Sequence, residues 1–250
     1  MKPETAEAPP AAGAATSYED HPMPLIEHIL ELRRRLMMAL AWIAAGTVAA
    51  YQFADAIIAK LARPVGTLVF IAPAEAFLVR IKIAVFGGFL LALPAVLYQA
   101  WLFAAKAFAP GLRKYLKRAI PVSYALFLAG ASLALYLVIP AAMKFFLSYE
   151  TEQLKPLIGV GAYLHFASLM ILAFGAVFQL PLVLIALNRL GIVSKAQLKA
   201  QRRLVYFLGF VLGAVLTPDV FSQTVLAFSS IVLFEGALLA MPGEPALSQP

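Results

Sequence analysis

Residues 163–187 include no Asp, Glu, Lys or Arg, and this run constrains the chain more than any other feature. At 1.5 Å per residue, a helix of that length covers about 37 Å, more than the roughly 30 Å of bilayer hydrocarbon. In hydrocarbon, backbone N–H and C=O groups have no water to pair with, so such a run must satisfy them within itself, as a helix. Five further apolar segments, at 36–53, 76–105, 119–147, 204–216 and 224–241, repeat the pattern. Composition agrees: 62% of residues are hydrophobic and 13% charged, with a mean hydropathy of +0.86, against about 25% charged in a soluble domain. The expected fold is all-α: a polytopic membrane protein with six transmembrane helices, kinked long helices and two short C-terminal helices. The segment at 204–216 covers only about 20 Å and should be tilted or sit in thinned bilayer.

Prolines at 94, 121, 140 and 181 fall inside the long segments. Each removes a backbone donor and should kink or break its helix. The stretch ADAIIAKLARP at 54–64 has helical periodicity but is too polar to span, and should lie at the outer interface. The outer loop 148–161 is long enough to carry a small cap. Residues 1–22 and 242–250, rich in Ala, Pro and acids or small polar residues, are expected to be disordered cytoplasmic tails around a membrane domain at 23–241.

The charge distribution sets orientation. Of 20 Lys and Arg residues, fourteen cluster with Arg33–Arg35, with the loop after the second span and with the loop after the fourth. With six spans, this bias places both termini in the cytoplasm. The basic clusters sit at span ends rather than on one folded patch, so the net charge of +7 is read as topology and not as a nucleic-acid footprint. Arg33-Arg34-Arg35 running into an apolar segment also resembles an export address. Glu27 and Glu31 just upstream and the five further spans argue for an inner anchor instead.

No catalytic or metal-binding pattern occurs, and with no cysteine there is neither a disulfide nor a thiolate site. No enzyme activity and no cofactor are expected. The residues that stand out are polar groups at membrane depth, Gln99, Gln179 and Glu235, which are costly there unless hydrogen-bonded. Asp219, in Thr-Pro-Asp after the fifth span, reads as a turn residue. Glu27 and Glu31 share a helix face, and Glu31 lies four residues before Arg35, the spacing of an intrahelical ion pair. Carboxylates on the cytoplasmic face could also bind a basic peptide through charge-assisted hydrogen bonds.

MPLIEHILELRRRL at 23–36 resembles the start of TatC, the multispanning subunit of the twin-arginine protein translocase. LARPVG before the second span, PAEAFLVRIKIAVFGGFLLALPAVLYQAW at 73–101, FAPGL at 108–112, AFGAVFQLPLVL at 173–184 and LTPDVFSQTVLA at 216–227 extend the resemblance, in order, over 23–241. The resemblance implies a bacterial inner-membrane, multi-pass protein that binds Arg-Arg signal peptides of folded export substrates at its cytoplasmic face. It implies assembly with TatA and TatB subunits, several copies in the complex, transport driven by the proton-motive force and no cofactor. By position, Glu31 and Arg33 match the motif linked to signal recognition, and Glu27 is its acidic neighbour. Phe103 or Phe108 matches the aromatic near the signal site, since FAAKA at 103–107 looks inserted. Pro64 matches a proline of the first outer loop, Asp219 the acid of the last outer turn and Glu235 a late glutamate of the sixth helix.

Two positions depart from the family pattern. PGLRKYLKR places Leu116 where the first cytoplasmic loop usually has a glutamate, and Gln179 replaces a glutamate of the fourth helix. Three explanations stay open: a rearranged signal site using Glu27 and Glu31, a paralogue that keeps only the scaffold, or a shifted match in the loop. The alternative functions are a small-molecule or ion transporter, or a TatC-like scaffold without signal binding. Against a transporter, the two halves show no convincing repeat.

Overall fold

The protein is described by a computed structural model over residues 25–108, 113–153 and 155–241, without the side chains of residues 25, 27, 28, 105–108 and 113–117. The expected tails at 1–22 and 242–250 therefore lie outside the described residues, as do most of FAPGL and the side chains of Glu27, Phe108 and Leu116.

Among the described residues the helices run back and forth six times, and four of these runs are long and apolar enough to cross a membrane by themselves. Helix α1 (Leu25–Tyr51) is followed by α2 (Ala54–Ala62), bent by 79° from it. Helix α3 is Pro73–Phe108 and α4 is Arg113–Leu133; a π-helical turn, Ala134–Val138, leads into α5 (Ile139–Leu147). Then come α6 (Val160–Val177), α7 (Leu180–Arg189), α8 (Lys195–Ala200), α9 (Arg202–Leu216) and α10 (Val220–Ala240). Crossings three and four are thus α4–α5 and α6–α7. The first residues of α1 and the last of α10 share one end of the bundle, called proximal below. Helix α2 and the starts of α3 and α6 mark the distal end.

Several boundaries differ from the sequence expectation, each for a local reason. Helix α1 begins at Leu25, so the helical lead-in expected around Glu27 and Glu31 runs without a break into the span expected from 36, with no Gly or Pro to interrupt it and a Glu31–Arg35 pair one turn apart. Helix α10 begins at Val220 rather than 224 because the Asp219 side chain accepts from the Ser222 N–H and caps it. Helix α9, at 15 residues, reaches roughly 22 Å and is short as expected, whereas α10, also expected to be short, has 21 residues and reaches roughly 31 Å because its capped start at Val220 lengthens it. Helix α8 was not anticipated; Ser194 and Gln197 form a capping box at its start.

The prolines act unequally. Pro140 cannot donate to Tyr136, and just before it Ile139 N–H reaches back five residues to Ala134 O, the bond of a π-turn. Pro181 cannot donate to Val177, where α6 stops; the chain makes a tight turn and restarts as α7. Pro94 and Pro121 lie inside helices that continue past them.

Helices α1 and α3 cross at glycines. A Cβ built on Gly46 would lie 2.5 Å from Gly88 O, and one on Gly88 would collide with the Thr47 backbone. In lipid no hydrophobic drive pushes helices together, so close backbone approach at small residues carries the packing. Gly88→Ala is expected to destabilise by at least about 1–3 kcal/mol. The check is thermal unfolding of the purified protein against Gly236→Ala, where a methyl meets nothing within 4 Å; equal melting temperatures would refute the crossing. The main core joins α3, the π-turn, α5, α6 and α10 around Ile83, Val138, Ile139, Met170, Phe174 and Leu226. A second cluster around Phe234, Leu238 and Leu198 closes the proximal end of α10. Phe207, Val215, Phe228 and Leu239 face outward, as a lipid-facing surface requires.

At the distal end the loops are tied together. Val69 N–H donates to Ile158 O at 3.0 Å and Val160 N–H to Val69 O at 2.8 Å, a single parallel bridge. Glu75, in the first turn of α3, accepts from Ile71 N–H at 2.7 Å and from Gly161 N–H at 2.9 Å. Its carboxylate thus caps the N-terminus of a different helix, α6, where orphan N–H groups and the helix dipole favour an anion.

Candidate functional site

The acidic residue of the N-terminal motif is engaged. Glu31 Oε1 accepts from Arg35 Nε and Nη2, both at 2.6 Å, and both side chains are 14% exposed. Arg35 Nη1 also donates to Gln99 Oε1 on α3 at 2.9 Å, and Gln99 Nε2 lies 3.9 Å from Met38 Sδ. One guanidinium therefore bridges a carboxylate on α1 and an amide oxygen on α3. Gln99 is buried here, which accounts for a polar group at this depth. Arg33 and Arg34 point outward and are exposed. Phe103 is half-buried and lies one helical turn past Gln99, so it shares the face that meets Arg35.

Gln179 sits at the α6–α7 break, not on a regular helix. Its Oε1 accepts from Ser123 Oγ of α4; its Nε2 donates to Ser123 O at 3.0 Å and to Gly175 O at 3.5 Å. Beside this pair lies a largely apolar cavity of about 270 Å³, lined in part by Leu97, Trp101, Val183 and Leu187. Glu235 accepts from Arg202 Nη2 and from Tyr206 Oη, both at 2.6 Å, and so clamps α9 to α10 near the proximal end. Asp219 is the buried N-cap described above. Pro64 is half-buried in the turn that ends α2, where Gly66 has a φ of 78° and its N–H donates to Ala62 O.

The residues singled out from sequence thus divide. Glu31, Gln99 and Phe103 converge on the α1–α3 seam at the proximal end, with Arg33 on the same helix turn facing out. Glu235 is proximal but belongs to the α9–α10 clamp. Pro64 and Asp219 belong to the distal end. Two residues escaped sequence reasoning. Ser123 had no signal beyond being a hydroxyl within a span. Glu75 had one: an acid in the first turn of a long apolar helix. That position marks an N-terminus, but does not say whose N–H groups it serves.

Residues 27–228 match the family described as Sec-independent protein translocase protein (TatC). The chain belongs to the TatC family. A TatC of Carboxydothermus hydrogenoformans is 38% identical over 223 residues, covering 87% of this chain and 92% of that protein. One from Aquifex aeolicus is 35% identical over 225 residues, covering 85% and 92%. A crystal structure of the twin-arginine translocase receptor TatC in DDM superposes with a TM-score of 0.76 at 31% identity, over 85% of this chain and 98% of that one. The chain is accordingly a protein-translocase membrane subunit of the Sec-independent pathway, and its six-crossing fold is the family's.

Proposed function

We propose that this chain is the signal-reading core subunit of a twin-arginine translocase, and that the proximal α1–α3 seam is where the signal peptide docks. One observation carries the reading: Glu31 and Gln99 already hold a guanidinium there, that of Arg35. A twin-arginine peptide brings the same group. Two acceptor oxygens from different helices suit the fork of a guanidinium better than a point-charge ammonium. Phe103, on the same face, offers apolar surface beside it, and exposed Arg33 leaves Glu31 as the acid that meets the peptide.

In this reading the proximal end faces the cytoplasm of a bacterial inner membrane, as the basic clusters require. The membrane domain at 23–241 acts as a unit between two cytoplasmic tails. It recruits TatA and TatB subunits and further copies of itself, performs no catalytic step of its own and uses the proton-motive force. The direct test is an export assay in cells that lack their own TatC and receive this chain. Recovery of folded twin-arginine cargo outside the membrane supports the reading. A chain that inserts stably yet exports nothing, in the presence of TatA and TatB subunits, refutes it.

A further inference from the structure

A cavity of about 390 Å³ lies between α1, α3 and α6, away from the seam and from Gln179. Its apolar wall includes Ile43, Val79, Phe86, Phe89 and Leu172, and its polar groups are Lys82, His165 and Ser168. Lys82 lies nine residues past Pro73, about 13 Å along α3, and His165 lies five past Val160, about 7 Å along α6. Both side chains are exposed on the outer face of their helices, so in a bilayer they would meet lipid, where an ionisable group is costly and calls for a partner.

Neither has a hydrogen-bond or ion-pair partner among the described residues. The contrast with Arg80, two residues before Lys82, is informative: Arg80 pairs with Asp55 and lies 5.7 Å from the Tyr51 ring centre. Glu75, two turns before Lys82 on the same face of α3, has both oxygens committed to Ile71 and Gly161. No acid lines the cavity. The Glu75 charge attracts Lys82 from a distance, but no acid among the described residues bonds the ammonium directly, so its donors can still serve an anion from outside the chain.

Size and shape select the ligand. The lining runs from residue 79 to 89 on α3 and from 161 to 172 on α6, a slot roughly 15 Å long, half the roughly 30 Å hydrocarbon thickness. A helix 10–12 Å across fills roughly 400–600 Å³ per turn, so the cavity would hold less than one turn of a partner helix. A single hydrocarbon chain fits its length and its apolar lining. Lys82 and His165 lie toward the distal end of the slot, with Ser168 past its middle, and a lysine stem can extend its ammonium toward the surface.

We infer that this cavity is a binding site for one anionic phospholipid, with an acyl chain in the apolar slot and the phosphate at Lys82 and His165. The inference rests on the fold and not on the signal-reading proposal. The test is native mass spectrometry of the purified full-length chain with phosphatidylglycerol or phosphatidylcholine of matched chains. One phosphatidylglycerol should be retained in preference. Lys82→Gln should cut that preference about 5-fold, the worth of one interfacial cation, and adding His165→Gln should abolish it. Lys82→Arg should keep it. Leu172→Trp, which blocks the slot, should lose both lipids with the melting temperature held. Three results would overturn the site: an unchanged preference in Lys82→Gln/His165→Gln, displacement of the lipid by millimolar inorganic phosphate, or a photocrosslinker at Ser168 that captures a partner helix and no lipid.

Discussion

Glu31→Ala is expected to abolish capture of an Arg-Arg peptide and, with it, export. Removing one member of a largely desolvated charge pair typically costs about 2–5 kcal/mol, or roughly 30-fold to several thousand-fold in affinity. Crosslinking of a labelled twin-arginine peptide to the purified chain measures this. A mere collapse of α1 would give the same loss, so Arg35→Gln is the decisive partner experiment. In the resting protein Arg35 occupies the position proposed for the substrate guanidinium. Replacing it keeps the helix but removes the competitor, and peptide binding should tighten by about 10-fold if the internal pair is worth near 1.4 kcal/mol. Tighter binding in Arg35→Gln together with loss in Glu31→Ala fits only a shared guanidinium site. Equal loss in both would mean that the pair is merely structural and that the peptide docks elsewhere. If the proposed site is right, Leu116, where the resemblance expects a glutamate, would leave Glu31 to carry more of the arginine recognition.

How far the sequence reached depended on the range of the interaction. The crossings were legible because hydrocarbon forces every polar backbone group into a helix, and the short α9 followed from counting residues before Thr-Pro-Asp. The Glu31–Arg35 pair was legible because it is local, four residues apart. The contacts that build the seam, the Gln179 site and the distal cap are not local. Arg35 meets Gln99 across 64 positions, Gln179 meets Ser123 across 56, and Glu75 meets Gly161 across 86. Nothing in a spacing rule pairs these residues, since each match depends on which helices are neighbours. Gln99, Gln179 and Glu235 could be recognised as polar groups needing partners at depth, but the partners themselves came only with the fold. The same limit hid the inequality of the prolines: Pro181 falls where a turn opens the helix, whereas α3 runs on through Pro94.

Gln179→Glu, which introduces the residue that the sequence resemblance expects here, is expected to destabilise this chain. The amide here both accepts and donates: Oε1 accepts a hydrogen bond from the Ser123 hydroxyl, while Nε2 donates hydrogen bonds to Ser123 O and Gly175 O. An ionised glutamate keeps the acceptor but sets an oxygen against those two carbonyls, with a charge added beside an apolar cavity. Leaving one buried polar group unsatisfied costs about 1–3 kcal/mol, and a charged one more. The loss is measured as the fall in unfolding temperature in matched detergent. If it arises at this pair, it must depend on Ser123: in a double-mutant cycle with Ser123→Ala, the two effects should be non-additive by about 0.5–3 kcal/mol. Additive effects, or a Gln179→Glu chain as stable as the parent, would sink the account. The sign of this prediction opposes simple family logic. A position may match a family's acid in register and still be unable to accept it, because Ser123 and the broken α6–α7 turn are arranged around an amide.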